Sequence, residues 1–300
     1  MSMLHSAFKS HTSPGLKWVQ SSPFGSTKLS SIFYAGGYWV ITGAGGLVAY
    51  TTNLRGAWTT VSAGFGSNTV YDCRYGNGYW VAVGAAGTMA TCPTDPTHTW
   101  TQRSPGFGTS NVYGICYGNG GWAACADGGK LRTATDPTST WTSRTIGFST
   151  NLVFNVDYQN SIWVVVGNGG NVATASDCTG TWTSNDISSG GGLRGLAYGN
   201  GYWVVTSYSV GDIFYATNPA STWVTKPMSF SYECSCYGNG YWVLGNENSG
   251  EYIYRTSAPP TGTWSAAKMK APTGAIYDIE YANSTFVGVG NSGMYYLSRG

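Results

Sequence analysis

The sequence predicts an all-β protein, a seven-bladed β-propeller of four-stranded antiparallel blades, closed by an N-terminal strand that completes the last blade. Three observations carry this expectation. Tyr75-Gly76-Asn77-Gly78-Tyr79-Trp80-Val81 stands for a motif present in seven copies, the others beginning at Tyr34, Tyr117, Tyr158, Tyr198, Tyr237 and Tyr281. A second series, Trp18, Trp58, Trp100, Trp141, Trp182, Trp223 and Trp264, recurs every 40 to 42 residues, and the two series together use all 13 tryptophans. Repeats of about 40 residues are typical of four-stranded blades. Only 9% of residues are charged, whereas the chain holds 44 Gly and 22 Tyr, a mixture suited to short strands with tight turns and buried faces.

The first hairpin of each unit follows from the motif. An Asn-Gly step between apolar residues favours a type I′ turn, which needs positive φ at both central positions. With Asn77-Gly78 in the turn, Gly76 pairs with Tyr79 and Tyr75 falls opposite Trp80 as a cross-strand aromatic pair. In the second unit the first strand is Val70 to Tyr75 and the second is Tyr79 to Val83. Second strands such as Trp163-Val164-Val165-Val166 are continuously apolar, as expected of a sheet covered on both faces. Gly-rich turns follow at Ala44-Gly45-Gly46, Asp127-Gly128-Gly129 and Asn168-Gly169-Gly170, and the glycines are read as turn residues. A short third strand, Asn171 to Ala175 in the fourth unit, leads through a polar turn to the outer Trp strand.

The two ends of the chain fit together. Trp18 marks a fourth strand with no first three before it, and Ile276 to Ser298 supplies three strands and stops. Pairing the Trp18 strand beside Met294 to Leu297 removes two open sheet edges. Residues 1–14 are read as an N-terminal arm and 15–300 as one propeller domain.

Composition narrows the function. A formal charge of +2 with scattered Lys and Arg shows no footprint for nucleic acid. No stretch approaches a membrane span, and residues 1–14 lack the apolar core of a signal peptide. Seven cysteines leave at least one unpaired and suit a reducing compartment, although Cys116 and Cys125 share a hairpin and can approach each other. His5, His11 and His98 give neither a metal site nor a Ser/His/Asp triad, and no metal or cofactor is expected.

Five residues before the outer Trp stand Asn53, Asp95, Asp136, Asp177 and Asn218, whose side chains suit hydrogen bonds to the N–H groups of their own turn. Ser176-Asp177-Cys178-Thr179-Gly180-Thr181-Trp182 resembles the Asp-box of bacterial neuraminidase repeats. In that family the box is a folding corner away from the ligand, so the resemblance implies architecture. The repeat style over residues 18–298 also resembles propeller proteins encoded among bacteriophage structural genes.

A sialidase-like glycoside hydrolase, the activity that the first resemblance would imply, needs an arginine cluster. The arginines on strands are Arg74, Arg132, Arg194 and Arg255, with Asp72, Asp157, Glu233, Asp278 and Glu280 on the innermost strands, where charges also line a channel without chemistry. A further repeat precedes the first strands and carries Phe24, Phe65, Phe107 and Phe148. These aromatics either form a sugar-binding face or wedge between blades. The expected function is a non-enzymatic virion component of a phage at the tail or capsid surface, without a signal peptide and assembled in the host cytoplasm. It would bind other virion proteins and host-surface polysaccharide. The alternatives are a lectin outside a virion and a sialidase-like hydrolase.

Overall fold

The computed structural model describes residues 10–11, 17–187, 191–209, 211–228, 230–246, 252–257, 260–268, 274–293 and 295–299. Among these, the strands form seven antiparallel sheets, six of four strands and one of five. Blade 1 comprises Leu29–Ala35, Tyr38–Gly43, Val48–Thr51 and Thr59–Val61, and blade 2 comprises Val70–Gly76, Tyr79–Gly84, Met89–Pro93 and Thr101–Arg103. The first strands of blades 3 to 7 are Val112–Gly118, Val153–Gln159, Leu193–Gly199, Tyr232–Gly238 and Ile276–Ala282. Each touches the first strand of the next blade, and Ile276–Ala282 touches Leu29–Ala35, so the innermost strands form a continuous ring.

The expected hairpin register is present in all seven blades, from Tyr34 opposite Trp39 to Tyr281 opposite Phe286. Ring centroids in these pairs lie 4.5 to 5.3 Å apart, inside the range for favourable aromatic contacts. Asn77 and Gly78 have φ of 45° and 78°, the two positive values that a type I′ turn demands. Where the copies depart from Asn-Gly, the pairs Gly36-Gly37, Asn160-Ser161 and Asn283-Ser284 adopt the same left-handed conformation.

The residue before the turn has a different role from the one read in the sequence. Gly76 and Gly118 lie outside the positive-φ region, and a Cβ on either would come within 2.5 Å of the Tyr117 or Tyr158 ring of the following blade. These glycines admit the next blade's tyrosine and do not serve the turn.

The fourth strand of blade 7 is Lys17–Ser21, antiparallel to Tyr295–Arg299, with Trp18 opposite Ser298 and Val19 opposite Leu297. Trp18 and Val19 are both buried, Trp18 packing with Phe286 and Val19 joining the cluster between blades 7 and 1. Ser10–His11, within the expected arm, adds a short fifth strand outside Lys17–Ser21. The remaining arm residues, His5 among them, lie outside the described residues.

All seven cysteines are free and buried. Cys116 pairs with Ala123 and Cys125 with Gly114, so the two thiols of that hairpin do not face each other and form no disulfide. No helix among the described residues is long and apolar enough to cross a membrane.

Candidate functional site

The polar corners expected from the Asp and Asn series are in place. Asp95, Asp136 and Asp177 each accept hydrogen bonds from the backbone N–H and the hydroxyl of the Thr two residues on. Asn53 and Asn218 accept from the N–H of Arg55 and Ala220. The outer tryptophans complete the corner. The indoles of Trp100, Trp141, Trp182, Trp223 and Trp264 donate to the carbonyl four residues earlier, at 3.1 to 3.4 Å. The hydrogen bonds from Thr97, Thr138 and Thr179 to the charged carboxylates lower the pKa of Asp95, Asp136 and Asp177.

The four phenylalanines sit between blades. Phe65, Phe107 and Phe148 are buried to within 3% of full enclosure, in clusters that join blade 1 to 2, blade 2 to 3 and blade 3 to 4. Phe24 is partly buried at the junction of blades 7 and 1 and meets Trp58 edge-on at 5.8 Å. The structure therefore corrects the ligand-binding assignment for Phe65, Phe107 and Phe148: burial leaves no ring face for a sugar to stack on.

The groups that do converge lie on the first strands around the axis. A bulge follows the first residue of each of these strands, as between Val70 and Asp72, and the extra residue is re-aimed. The second residues are Ser30, Tyr71, Tyr113, Phe154, Arg194, Glu233 and Tyr277, and they rim a cavity of about 270 Å³ at one mouth of the channel. Along one side, Tyr71, Tyr113 and Phe154 form an aromatic arc with centroids 5.1 and 5.4 Å apart. Arg194 is held over the rings of Phe154 and Tyr208, at 4.7 and 4.0 Å, and pairs with Glu233 of the next blade. Lys28 lies 3.7 Å over the Tyr277 ring. Burial, outweighing a hydrogen bond from Asn111, pushes the Tyr113 phenol up to about 12 and keeps it neutral.

Below the rim the carboxylates staple blades together. Asp72 accepts from Ser31 Oγ of blade 1, from its own Cys73 N–H and from Ile115 N–H of blade 3, and pairs with Arg74 at 2.6 Å. Asp278 accepts from Ile279 N–H and, across the junction of the two chain ends, from Ile32 N–H of blade 1. Deeper still, a second cavity of about 250 Å³ shares Arg74, Asn155, Glu233, Tyr277 and Asp278 with the first and extends to Asp157 and Glu280. Burial opposes the charge on Arg74, but Asp72, Asp278 and Glu280 outweigh it and raise the pKa of the guanidinium. Burial likewise raises Asp157 and Asp278, and it pushes Glu280 up to about 8 against the pull of Arg74.

Of the four arginines considered for a carboxylate-binding cluster, Arg74 and Arg194 reach the mouth. Arg132 instead donates to the Trp141 carbonyl and lies over Phe107, and nothing is described of the Arg255 side chain. Among the described residues, no group of three His, Cys, Asp or Glu is placed to hold a metal ion. His98 bonds to Asp95 in its corner. The rim aromatics lie outside the repeated motifs, and their one signal in the sequence is that four units carry Tyr or Phe at the second residue of the first strand.

No family model matches the chain, and no curated protein matches it in sequence. Among solved structures it is similar to YCF48 bound to D1 peptide, at 14% identity and a TM-score of 0.75 over 97% of this chain and 99% of that one. It is also similar to a catalytically inactive virginiamycin B lyase from Staphylococcus aureus with quinupristin, at 12% identity and a TM-score of 0.84 over 94% and 99%. YCF48 from Cyanidioschyzon merolae aligns at 14% identity and a TM-score of 0.72 over 97% and 98%. At these identities the likeness concerns the propeller-like fold alone.

Proposed function

We propose that the chain is a non-enzymatic binding propeller, and that a segment of a partner protein seats in the channel mouth rimmed by the second residues of the first strands. One observation carries the reading. A cavity of about 270 Å³ is walled by the aromatic arc Tyr71, Tyr113 and Phe154 and faced by the charged groups Lys28, Arg194 and Glu233. Concave apolar walls with a few convergent polar groups are what a ligand site requires. The carboxylates beneath the rim are engaged in holding blades together, which suits a rigid receptor better than a proton-transfer apparatus. The YCF48 structure with its peptide supports the choice of a protein partner.

Panning a random-peptide library against the purified protein tests the proposal. Enriched peptides should bind wild type and weaken at least about tenfold in Tyr113→Ala, the loss expected when a central aromatic anchor is removed. Peptides that bind both forms equally, or no enrichment, would overturn it. A glycan array probed in parallel decides whether the same aromatic arc takes polysaccharide instead.

The pairing of Lys17–Ser21 with Tyr295–Arg299 is, in this reading, the latch that keeps the ring shut under load. The repeat style supports a virion setting with other virion proteins as partners. Immunogold labelling of purified particles that left them bare would defeat that setting without touching the binding site.

A further inference from the structure

The charge beneath the mouth is out of balance. Asp72, Asp157, Asp278 and Glu280 all act on the single guanidinium of Arg74, four formal negative charges against one positive. Asp72 and Asp278 are committed to hydrogen bonds from neighbouring blades, and Asp157 accepts from Tyr158 N–H. Glu280, at the deepest of these levels, makes no hydrogen bond or ion pair with any described residue. A second, independent feature lies on the wall of the same cavity. Ser235 is 8% exposed and its Oγ is buried without a hydrogen-bond partner, at a strand position where the other six blades carry Ile, Val, Leu or Cys. A hydroxyl left unpaired in such surroundings costs about 1–3 kcal/mol, so a group that accepts or donates there is favoured.

We infer that this inner cavity receives a primary ammonium on a flexible alkyl stem, a lysine side chain of the segment bound at the mouth. The inference rests on the mouth being the binding site. A seat between the levels of Asp278 and Glu280 lies two strand residues below the rim, roughly 7 Å, which an extended lysine side chain spans. The cavity of about 250 Å³ admits the stem, and Tyr277 and Asn155 flank its path. An ammonium, with three donors and no acceptor, meets Asp157 and Glu280 together as a compact point charge, whereas the planar fork of arginine needs a broader, bidentate seat.

Proton balance follows from the groups facing Glu280. Burial favours its neutral form, Arg74 opposes this, Asp278, Asp157 and Asp72 add to it, and the Cys236 thiol beside it is itself pushed well up and stays protonated. The ammonium reverses the balance, so binding ionises Glu280 and releases its proton to solvent. Affinity therefore rises with pH through about 8.

Amide-resolved NMR titrations of the intact protein test this, with N-acetyl-lysine methylamide, its uncharged norleucine counterpart and cadaverine, at about pH 6.5 and about pH 9. The lysine amide should shift channel resonances, binding roughly thirtyfold more tightly at the higher pH than at the lower, and the norleucine amide should not. Glu280→Gln and Asp157→Asn should each abolish the pH dependence or the binding while keeping the wild-type fold. Response to cadaverine but not to the lysine amide would assign the cavity to a free polyamine and overturn the side-chain assignment. Equal response to the norleucine amide, or unchanged binding in both variants, would overturn the ammonium itself. If these probes fail while library peptides still depend on Tyr113, the inner cavity is wrong and the mouth stands. If Tyr113→Ala leaves the peptides unaffected, the mouth is wrong, whatever the probes show.

Discussion

Gly118→Ala is the substitution with the sharpest consequence for how neighbouring blades engage. The added Cβ would lie 2.3 Å from Cγ and Cδ1 of Tyr158 and 2.5 Å from its Cβ, so the ring must retreat by about 1 Å to reach ordinary contact. Overpacking of this kind costs roughly 1–3 kcal/mol. The retreat also loosens Tyr158 from Trp163, whose rings stand 5.0 Å apart, and such pairs are worth about 0.5–1.5 kcal/mol. Replacing Gly by Ala returns about 0.4–1 kcal/mol by restricting the unfolded chain. The net expectation is a loss of about 2 kcal/mol, in the lower half of the summed range because blade 1 has Ala35 at the equivalent place with Tyr75 packed on the same cluster. Urea midpoints of wild type, Gly118→Ala, Tyr158→Ala and the double variant give the coupling directly. Without the Tyr158 ring the extra methyl should be neutral or slightly stabilising, leaving an interaction energy of about 2 kcal/mol. Equal cost in both backgrounds would refute the interlock.

Other expectations follow from the same geometry. Trp18→Ala removes a buried anchor of the Lys17–Ser21 strand and should cost about 3–5 kcal/mol, and deletion of residues 1–22 should cost more, read by thermal unfolding. Phe107→Ala should lower stability by about 3–5 kcal/mol, and any loss of ligand should track unfolding, because the ring fills the seam between blades 2 and 3. Asp136→Ala should cost about 1 kcal/mol through its two lost turn hydrogen bonds, checked by urea denaturation.

The pH profile has two limbs of opposite sign. Asp95, Asp136 and Asp177 have folded pKa values below those of the unfolded chain. The stability they contribute is present above the unfolded value and lost as pH falls through the folded one. Glu280 is raised from 4.5 to about 8, so its contribution is present below 4.5 and lost as pH rises to about 8, in the same direction as Asp157 and Asp278. Unfolding free energy should therefore decline between pH 5 and pH 8 in wild type, and Glu280→Gln should flatten that decline. A profile that rises over this range would contradict the raised carboxyls of the inner cavity.

The sequence alone determined the hairpins, their register and the seven-fold count, because each rests on contacts within about ten residues. Asn77-Gly78 dictates the turn, the turn dictates that Tyr75 meets Trp80, and the two tryptophan ladders repeat the instruction. It also exposed the mismatch between the Trp18 strand and the three-stranded end of the chain. What only the tertiary structure decided depends on neighbours dozens to hundreds of residues apart. Gly76 looks like part of a turn until the ring of Tyr117 is brought against it from the next blade. Phe65 and Phe107 look like a surface motif until two blades close over them. The mouth and the acidic cavity gather side chains from all seven blades, and the polar and charged residues differ from blade to blade. The candidate site is built from positions that break the repeat, and a repeat specifies a scaffold without saying which of its irregular residues will meet at the axis.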